Sequence, residues 1–544
     1  MPVVLRDAAF MPVELILIIA GFLQLDDLMN LLQAAKGLGQ FLTCHHLAVK
    51  GKNGETLLHL IARDGDHILM KTILAKCVIS AVRHDGDTTM HQAATSGQVS
   101  KMRSLPRTSI SINGLDRDKS TPLHWAAKMG HDPIVKMLLD RDEIKPDLEN
   151  YRSRTPLSFA AEHGHLPVVE MILQQKNIDP NSKDYYDRTP LSFAAEQGHV
   201  SVVELLLQEE NIDADAANYD QDARGRWLPE DGGRTPLSFA AENGHHAVVK
   251  LLVQRDDVDA DSTDDSHRAP LWWAAKNGHL AVVELLVQRD DVEKYTFNPL
   301  CDTPLSIAAS CGKLAVVELL IQREDVDADS KDRYGCTPLS WAATGGHQAV
   351  VELLVRREDV QADSKDQHGR TPLSWAAAGG HQSAVELLVQ RNDVETNSKD
   401  ISGRTPLSWA AAGGRQAVVE LLAKMEDIEA NSKDKAGRTP LSWAAAGGHR
   451  SVVELLVQRK DVETDGKDEY GRTPLSWAAA RGHQAVVELL LRRKDVETNS
   501  KDLTGRTPSK WASEGGHQAV VGLLVKREDA ETGSGDISGG PTLL

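Results

Sequence analysis

Cysteine is scarce in this chain and unpaired: Cys44, Cys77, Cys301, Cys311 and Cys336 are odd in number and show no Cys-x-x-Cys spacing. A disulfide framework is a poor fit, and a reducing intracellular compartment, cytoplasmic or nuclear, is expected. Long apolar runs are missing too. The stretch Leu15 to Leu23 has nine residues, against the roughly 20 that cross a bilayer. It follows Glu14 with only Arg6 upstream, which argues against an export signal. Basic clusters are absent: the 61 Lys and Arg are scattered among 79 Asp and Glu for a formal charge of −18, so direct contact with nucleic acid is not expected. Neither a glycine-rich phosphate loop nor a Ser or Cys nucleophile with distinctive His and Asp partners is found. No catalytic residue, cofactor or metal is assigned, and the chain is read as a non-enzyme.

What the chain has instead is repetition. Thr-Pro-Leu-Ser-Trp-Ala-Ala begins verbatim at Thr337, Thr371, Thr405, Thr439 and Thr473, a period of 34 residues (371 − 337). With substitutions allowed, the anchor recurs at Thr56, Thr88, Thr121, Thr155, Thr189, Thr235, Ala269, Thr303 and Thr507, giving fourteen units. The step between Thr189 and Thr235 is 46 residues and so holds twelve extra ones (46 − 34). A period of this size marks a stacked repeat array.

Each unit predicts helix, turn, helix and finger. In the Thr371 unit, the Thr hydroxyl caps a helix whose first residue, Pro372, has no N–H to leave unbonded. That helix runs through Leu373, Trp375, Ala376 and Ala377 and stops at Gly379-Gly380. A second helix from Gln382 to Gln390 carries Ala384, Val385, Leu387, Leu388 and Val389 on a wide apolar face and leaves Glu386 and Arg391 for solvent. A polar finger, Arg391 to Gly403, leads to the next Thr-Pro. Helices this short are marginal alone, so stacking must supply stability.

The pattern Thr-Pro-Leu-(Ser/His)-x-Ala-Ala-x-x-Gly-His-x-x-Val-Val-x-Leu-Leu resembles the ankyrin repeat over residues 51–527. The resemblance implies an all-α solenoid of about fourteen helix-turn-helix units with finger turns. His follows Leu at His59, His91 and His124, but Ser stands there at Ser158, Ser192, Ser238, Ser306 and later copies, which puts that histidine's inter-repeat bonds in doubt for most of the array. Ser509, Lys510 and Gly522 mark a terminal cap, and residues 528–544 read as a disordered tail.

Ahead of the array, residues 1–9 form an extension and 10–48 a three-helix pattern. Pro12, Glu14, Leu15, Ile18, Phe22, Leu23, Asp27 and Leu28 resemble the F-box, with Met11 where its leading Leu would stand. An F-box implies binding to a Skp-type adaptor, which docks a cullin complex, and hence a substrate receptor of a ubiquitin ligase. F-box followed directly by ankyrin repeats is an order associated with filamentous fungi. A helical cap that only covers the first repeat is the competing reading of this segment.

Acidic residues gather in the fingers, as at Asp325, Asp327, Asp329 and Asp332, and predict a solvated acidic edge. The calcium-loop spacing fails at Ser330 and Cys336, where Gly and Glu are needed. The histidines after Gly, from His131 to His517, read as structural rather than as a metal ladder, since stacked units lie about 8–10 Å apart. The aromatic column of Phe159, Phe193 and Phe239, then Trp273 and Trp341 to Trp511, reads as packing in which each ring touches its neighbours.

A target protein is expected at the two residues that end each first helix. They vary early, as Lys128-Met129, Glu162-His163, Glu196-Gln197, Glu242-Asn243 and Lys276-Asn277, and flatten to Ala378-Gly379 and its copies later. Recognition is therefore placed in the units from Thr121 to Thr303, with Arg224, Arg226 and Trp227 of the expanded finger at 213–233 as further anchors. The reading is a monomeric, non-catalytic adaptor. The alternative is an ankyrin scaffold or transcriptional co-regulator that binds protein without ubiquitination.

Overall fold

The computed structural model describes residues 88–105, 111–219, 232–289, 292 and 303–533. The F-box-like residues Pro12 to Leu28 and the insertion residues Arg224, Arg226 and Trp227 lie outside these. The chain divides into two compact units, Met1–Pro270 and Leu271–Leu544. Among the described residues there are 26 helices and no strand.

Both units use one building block. Thr371 is extended (φ −91°, ψ 165°) and its Oγ1 accepts the Ser374 N–H at 3.2 Å. Helix Pro372–Gly379 buries Pro372, Leu373, Ser374, Ala376 and Ala377. It ends because Gly380 turns left-handed (φ +83°) and donates its N–H to the Ala376 and Ala377 carbonyls. The second helix, Gln382–Val389, buries Ala384, Val385 and Leu388. At eight residues each, the two helices fall below the roughly 12–15 that persist alone in water. In both units first helices pack on first helices and second on second. That leaves Leu373, Ala376 and Ala377 with no exposed surface, and burying one such leucine contributes about 1.5–3 kcal/mol.

Polar bonds join the repeats. His381 heads its second helix without capping it, and its Nε2 donates instead to the Thr344 carbonyl of the preceding repeat at 2.9 Å. In the first unit His131, His165, His199 and His245 do the same to Thr95, Lys128, Glu162 and Glu196 at 2.9–3.1 Å. Arg415, standing where a histidine would, reaches the Ala378 carbonyl with Nε at 3.0 Å. Each of these histidines is thus committed to a backbone joint.

A second joint fades along the chain. His124 takes the Thr121 N–H on Nδ1 at 2.9 Å and donates from Nε2 to the Arg154 carbonyl of the next repeat at 3.0 Å. Burial pushes its pKa down to about 4, so the ring is neutral. The Ser340 hydroxyl, at the equivalent position, bonds only Thr337 Oγ1 of its own repeat, at 3.2 Å.

Asparagines clamp successive fingers. Asn113 donates from Nδ2 to the Glu143 carbonyl at 2.7 Å and accepts the Lys145 N–H at 3.0 Å, and Asn181 and Asn397 repeat the clamp on their neighbours.

Three expectations need correction. Arg391 is not left to solvent: its Nη1 reaches the Val355 and Arg357 carbonyls at 2.8 Å while the rest of the guanidinium holds Asp393. Nor is the acidic edge simply solvated. Asp332 is buried, taking the Tyr334 and Cys336 N–H groups on one oxygen and Trp341 Nε1 on the other, and Asp325 is paired with Arg323 at 2.9 Å. Finally, the last helix runs Gln518–Gly533, so the expected array boundary at residue 527 falls inside it. Residues 534–544 of the expected tail lie outside the described residues.

Candidate protein-binding surface

The aromatic column is spaced by arginines, which is the main departure from the ring-on-ring packing expected. The residue before each Thr-Pro is often Arg, and its guanidinium slides between the ring of its own repeat and that of the next. Arg154 lies 4.0 Å from the Phe159 centroid and 4.1 Å from Phe193, and Arg188 lies 4.1 Å from Phe193 and 4.6 Å from Phe239. In the second unit Arg404 bridges Trp409 and Trp443 (4.5 and 3.8 Å), and Arg472 bridges Trp477 and Trp511 (4.8 and 4.3 Å). A planar cation stacks on an aromatic face more favourably than a second ring laid flat upon it. Most indoles are also anchored: Nε1 of Trp409, Trp443, Trp477 and Trp511 donates to the finger aspartate nine residues earlier at 3.0 Å.

The residues proposed from sequence sit at the helix ends beside this ladder, where they divide into two sets. Glu162, Glu196 and Glu242 are held by Arg154, Arg188 and Arg234 of their own repeats, at 2.7 Å for the first pair and 2.6 Å for the third. Their backbones carry the stacking as well, since the Glu162 and Glu196 carbonyls receive the next histidines. The other set is exposed or cationic. Met129 ends its helix at 46% exposure, His163 is exposed with Nδ1 on the Phe159 carbonyl at 3.0 Å, and Gln197 and Asn243 are exposed. Lys128 Nζ stands over Trp125 and Phe159 at 5.5 and 5.7 Å. In the second unit Lys276 Nζ stands over Trp272 and Trp273 at 5.3 and 4.9 Å, with Asn277 closing the helix.

Lys128, Glu162 and His163 come together around a groove of about 300 Å³ between the Thr121 and Thr155 repeats. Trp125 and Phe159 line it, with Tyr151, Arg152 and Arg154 on the finger side. Sequence reasoning missed that finger side. Tyr151, Tyr185 and Tyr219 stand on finger tips at 50%, 55% and 49% exposure, and four of the chain's seven tyrosines lie between residues 151 and 219. That clustering, and the recurrent Arg-Thr-Pro tripeptide, were the available signals. Among the described residues no group of three or more His, Cys, Asp or Glu is placed to hold a metal ion, and no helix is long and apolar enough to cross a membrane.

Paired short helices stacked through fingers, with variable helix ends beside them, define a repeat protein built to bind other proteins. The chain belongs to the ankyrin-repeat family: the family described as Ankyrin repeats (3 copies) matches in overlapping segments from residues 58–150 through 463–536. Similar proteins include osteoclast-stimulating factor 1 of Monopterus albus, 37% identical over 59 residues, which is 11% of this chain and 28% of that one. The same factor from Danio rerio is 40% identical over 55 residues, 10% and 26% of the two chains. A transient receptor potential cation channel subfamily A member 1 homolog of Caenorhabditis elegans is 31% identical over 105 residues, 19% of this chain and 9% of that one. The chain thus spans under a third of the length of each of these relatives, and the family match starts after the F-box-like segment.

Proposed function

We propose that this protein is a non-catalytic adaptor whose ankyrin array recruits a target protein, and that residues 10–48 act as an F-box, delivering that target to a ubiquitin ligase through a Skp-type adaptor and a cullin complex. The observation that carries target binding is the contrast between helix ends. The Thr121 to Thr235 repeats present Lys, Met, Glu, His, Gln and Asn, the first two of these repeats around an aromatic groove, whereas the Thr371, Thr405 and Thr439 repeats present Ala-Gly. Distinct anchors of this kind, rather than a smooth surface, are what specific interfaces use. The ligase role rests on the residues Pro12, Glu14, Leu15, Ile18, Phe22, Leu23, Asp27 and Leu28.

Calorimetry with a purified Skp-type adaptor tests the ligase role. Wild type is expected to bind, and the Pro12→Ala, Leu15→Ala, Leu28→Ala variant to lose binding while keeping its circular-dichroism spectrum. No binding by wild type would discard the receptor. The second reading, a scaffold or co-regulator that binds protein without ubiquitination, would then stand. That reading needs only the ankyrin array, which the family match covers from residue 58 to 536.

A further inference from the structure

We propose that the groove between the Thr121 and Thr155 repeats seats an acidic side chain carried on an extended segment of the target. This rests on reading the first unit as a protein-binding surface. The groove exists because the arginine ladder lacks a rung here, as it also does at Cys336. Position 120, equivalent to Arg154 and Arg188, is Ser, so no guanidinium fills the gap between Trp125 and Phe159. The gap is half-occupied by Lys128, whose Nζ comes no nearer than 5.5 Å to either ring centroid.

The charge pattern fixes the guest. In the next three repeats the residue at the place of Lys128 is Glu, and each is neutralised by its ladder arginine. Lys128 reverses that sign and meets rings in place of a carboxylate. Arg152, on the finger rim, donates from Nε to the Tyr151 hydroxyl at 2.6 Å and has no ion pair. The groove's buried-side carboxylate, Glu162, is already held by Arg154 at 2.7 Å, and Asp118 is exposed at the rim. Two cations without an ion pair thus flank an aromatic floor, with Asp118 felt by Arg152 only at longer range, in a chain of formal charge −18. An incoming Asp or Glu completes both, whereas an incoming Lys or Arg meets like charge; such juxtaposition rejects wrong partners strongly. An extended segment suits a slot of about 300 Å³ between two fingers, room for a few side chains only.

The test is selection of a random phage-displayed dodecapeptide library on the immobilised full-length chain, with fluorescence polarisation of the enriched peptides. Two variants accompany it. Lys128→Glu with Arg152→Glu reverses the cations. Ser120→Arg with Lys128→Glu installs the Arg–Glu rung of the next repeat, fills the slot and is expected to keep or raise the melting temperature. Enriched peptides rich in Asp or Glu that lose about tenfold or more in affinity on both variants, and weaken with added salt, are the expected result. Peptides that depend on the groove but carry no acidic residue, or acidic peptides indifferent to both variants, overturn the acidic seat and leave the surface reading intact. If no peptide is enriched, the surface reading falls with it.

Discussion

Oδ1 of Asp363 is buried without a hydrogen-bond partner, whereas Asn397, at the same place one repeat later, sends Nδ2 to the Asp427 carbonyl at 2.8 Å and takes the Glu429 N–H at 2.9 Å. The carboxylate keeps only half of the clamp. Asp329 and Asp465 show the same division: Oδ2 accepts the Gln361 and Glu497 N–H groups while Oδ1 is orphaned. Burial, reinforced by Glu395, pushes Asp363 up to about 6, with Asp393 opposing ionisation and Lys365 favouring it.

A carboxyl raised above its unfolded value of 3.8 contributes stability that is complete below 3.8 and lost as pH rises through about 6. Asp363→Asn, which restores the donor, is therefore expected to stabilise the second unit by about 1 kcal/mol at pH 8, after discounting for solvent at a half-buried site, and to change nothing near pH 4. Urea unfolding of both proteins at the two pH values measures this. Equal stability at pH 8 would refute the clamp.

His124 runs the other way. Its pKa is lowered from 6.5 to about 4, so the stability it gives as a neutral ring is full above 6.5 and declines as pH falls toward 4, by on the order of 3 kcal/mol in all. Hydrogen exchange should show the Ala126 and Ala127 amides losing protection between pH 7 and 5, after correction for intrinsic rates. The Ala376 and Ala377 amides, in a repeat with Ser374 at that position, should show no matching loss.

Gly346 and Gly516 separate backbone strain from stacking. Both are left-handed, at φ +69° and +76°, but a Cβ on Gly346 would run into the His381 ring and one on Gly516 would meet nothing within 4 Å. Gly516→Ala should cost about 1 kcal/mol for the backbone alone. Gly346→Ala should cost at least about 1 kcal/mol more, because the ring and its bond to Thr344 must shift. Chemical denaturation of the pair decides it, and equal losses would show that the histidine joint gives way freely.

Arg404→Ala should destabilise the second unit by about 1–2 kcal/mol, since the guanidinium contacts both Trp409 and Trp443. Arg404→Lys should recover less than half of that, because an ammonium cannot stack flat between two rings. Full rescue by Lys would show that charge alone matters.

Much of this was legible in the residues. Thr-Pro at the helix start and Gly-Gly at its end state their own geometry, because one lacks a donor and the other tolerates positive φ. The role of Arg391 was not legible. A terminal Arg on an amphipathic helix looks solvent-directed until the preceding repeat brings the Val355 and Arg357 carbonyls within reach. The same holds for Ser120, whose meaning is the volume an arginine would fill, a quantity that only the stacked neighbour defines. The helix-end residues Glu162 and Glu196 were correctly seen as variable, but their side chains are engaged by arginines eight positions earlier, which strict helix periodicity does not bring to mind.

Among the near-identical repeats the histidine joints reach back across one separation, 37 residues for His381, His449 and His483 alike, and the asparagine clamp of Asn397 reaches forward 30 and 32. Each joint therefore refers only to the copy beside it and carries no address. Excising or doubling one 34-residue copy between Thr337 and Thr473 returns a chain in which every histidine still finds a carbonyl and every finger its neighbour. Recombination among near-identical gene segments can thus shorten or lengthen the protein in whole steps, with length inherited as a variable and the fold as a constant.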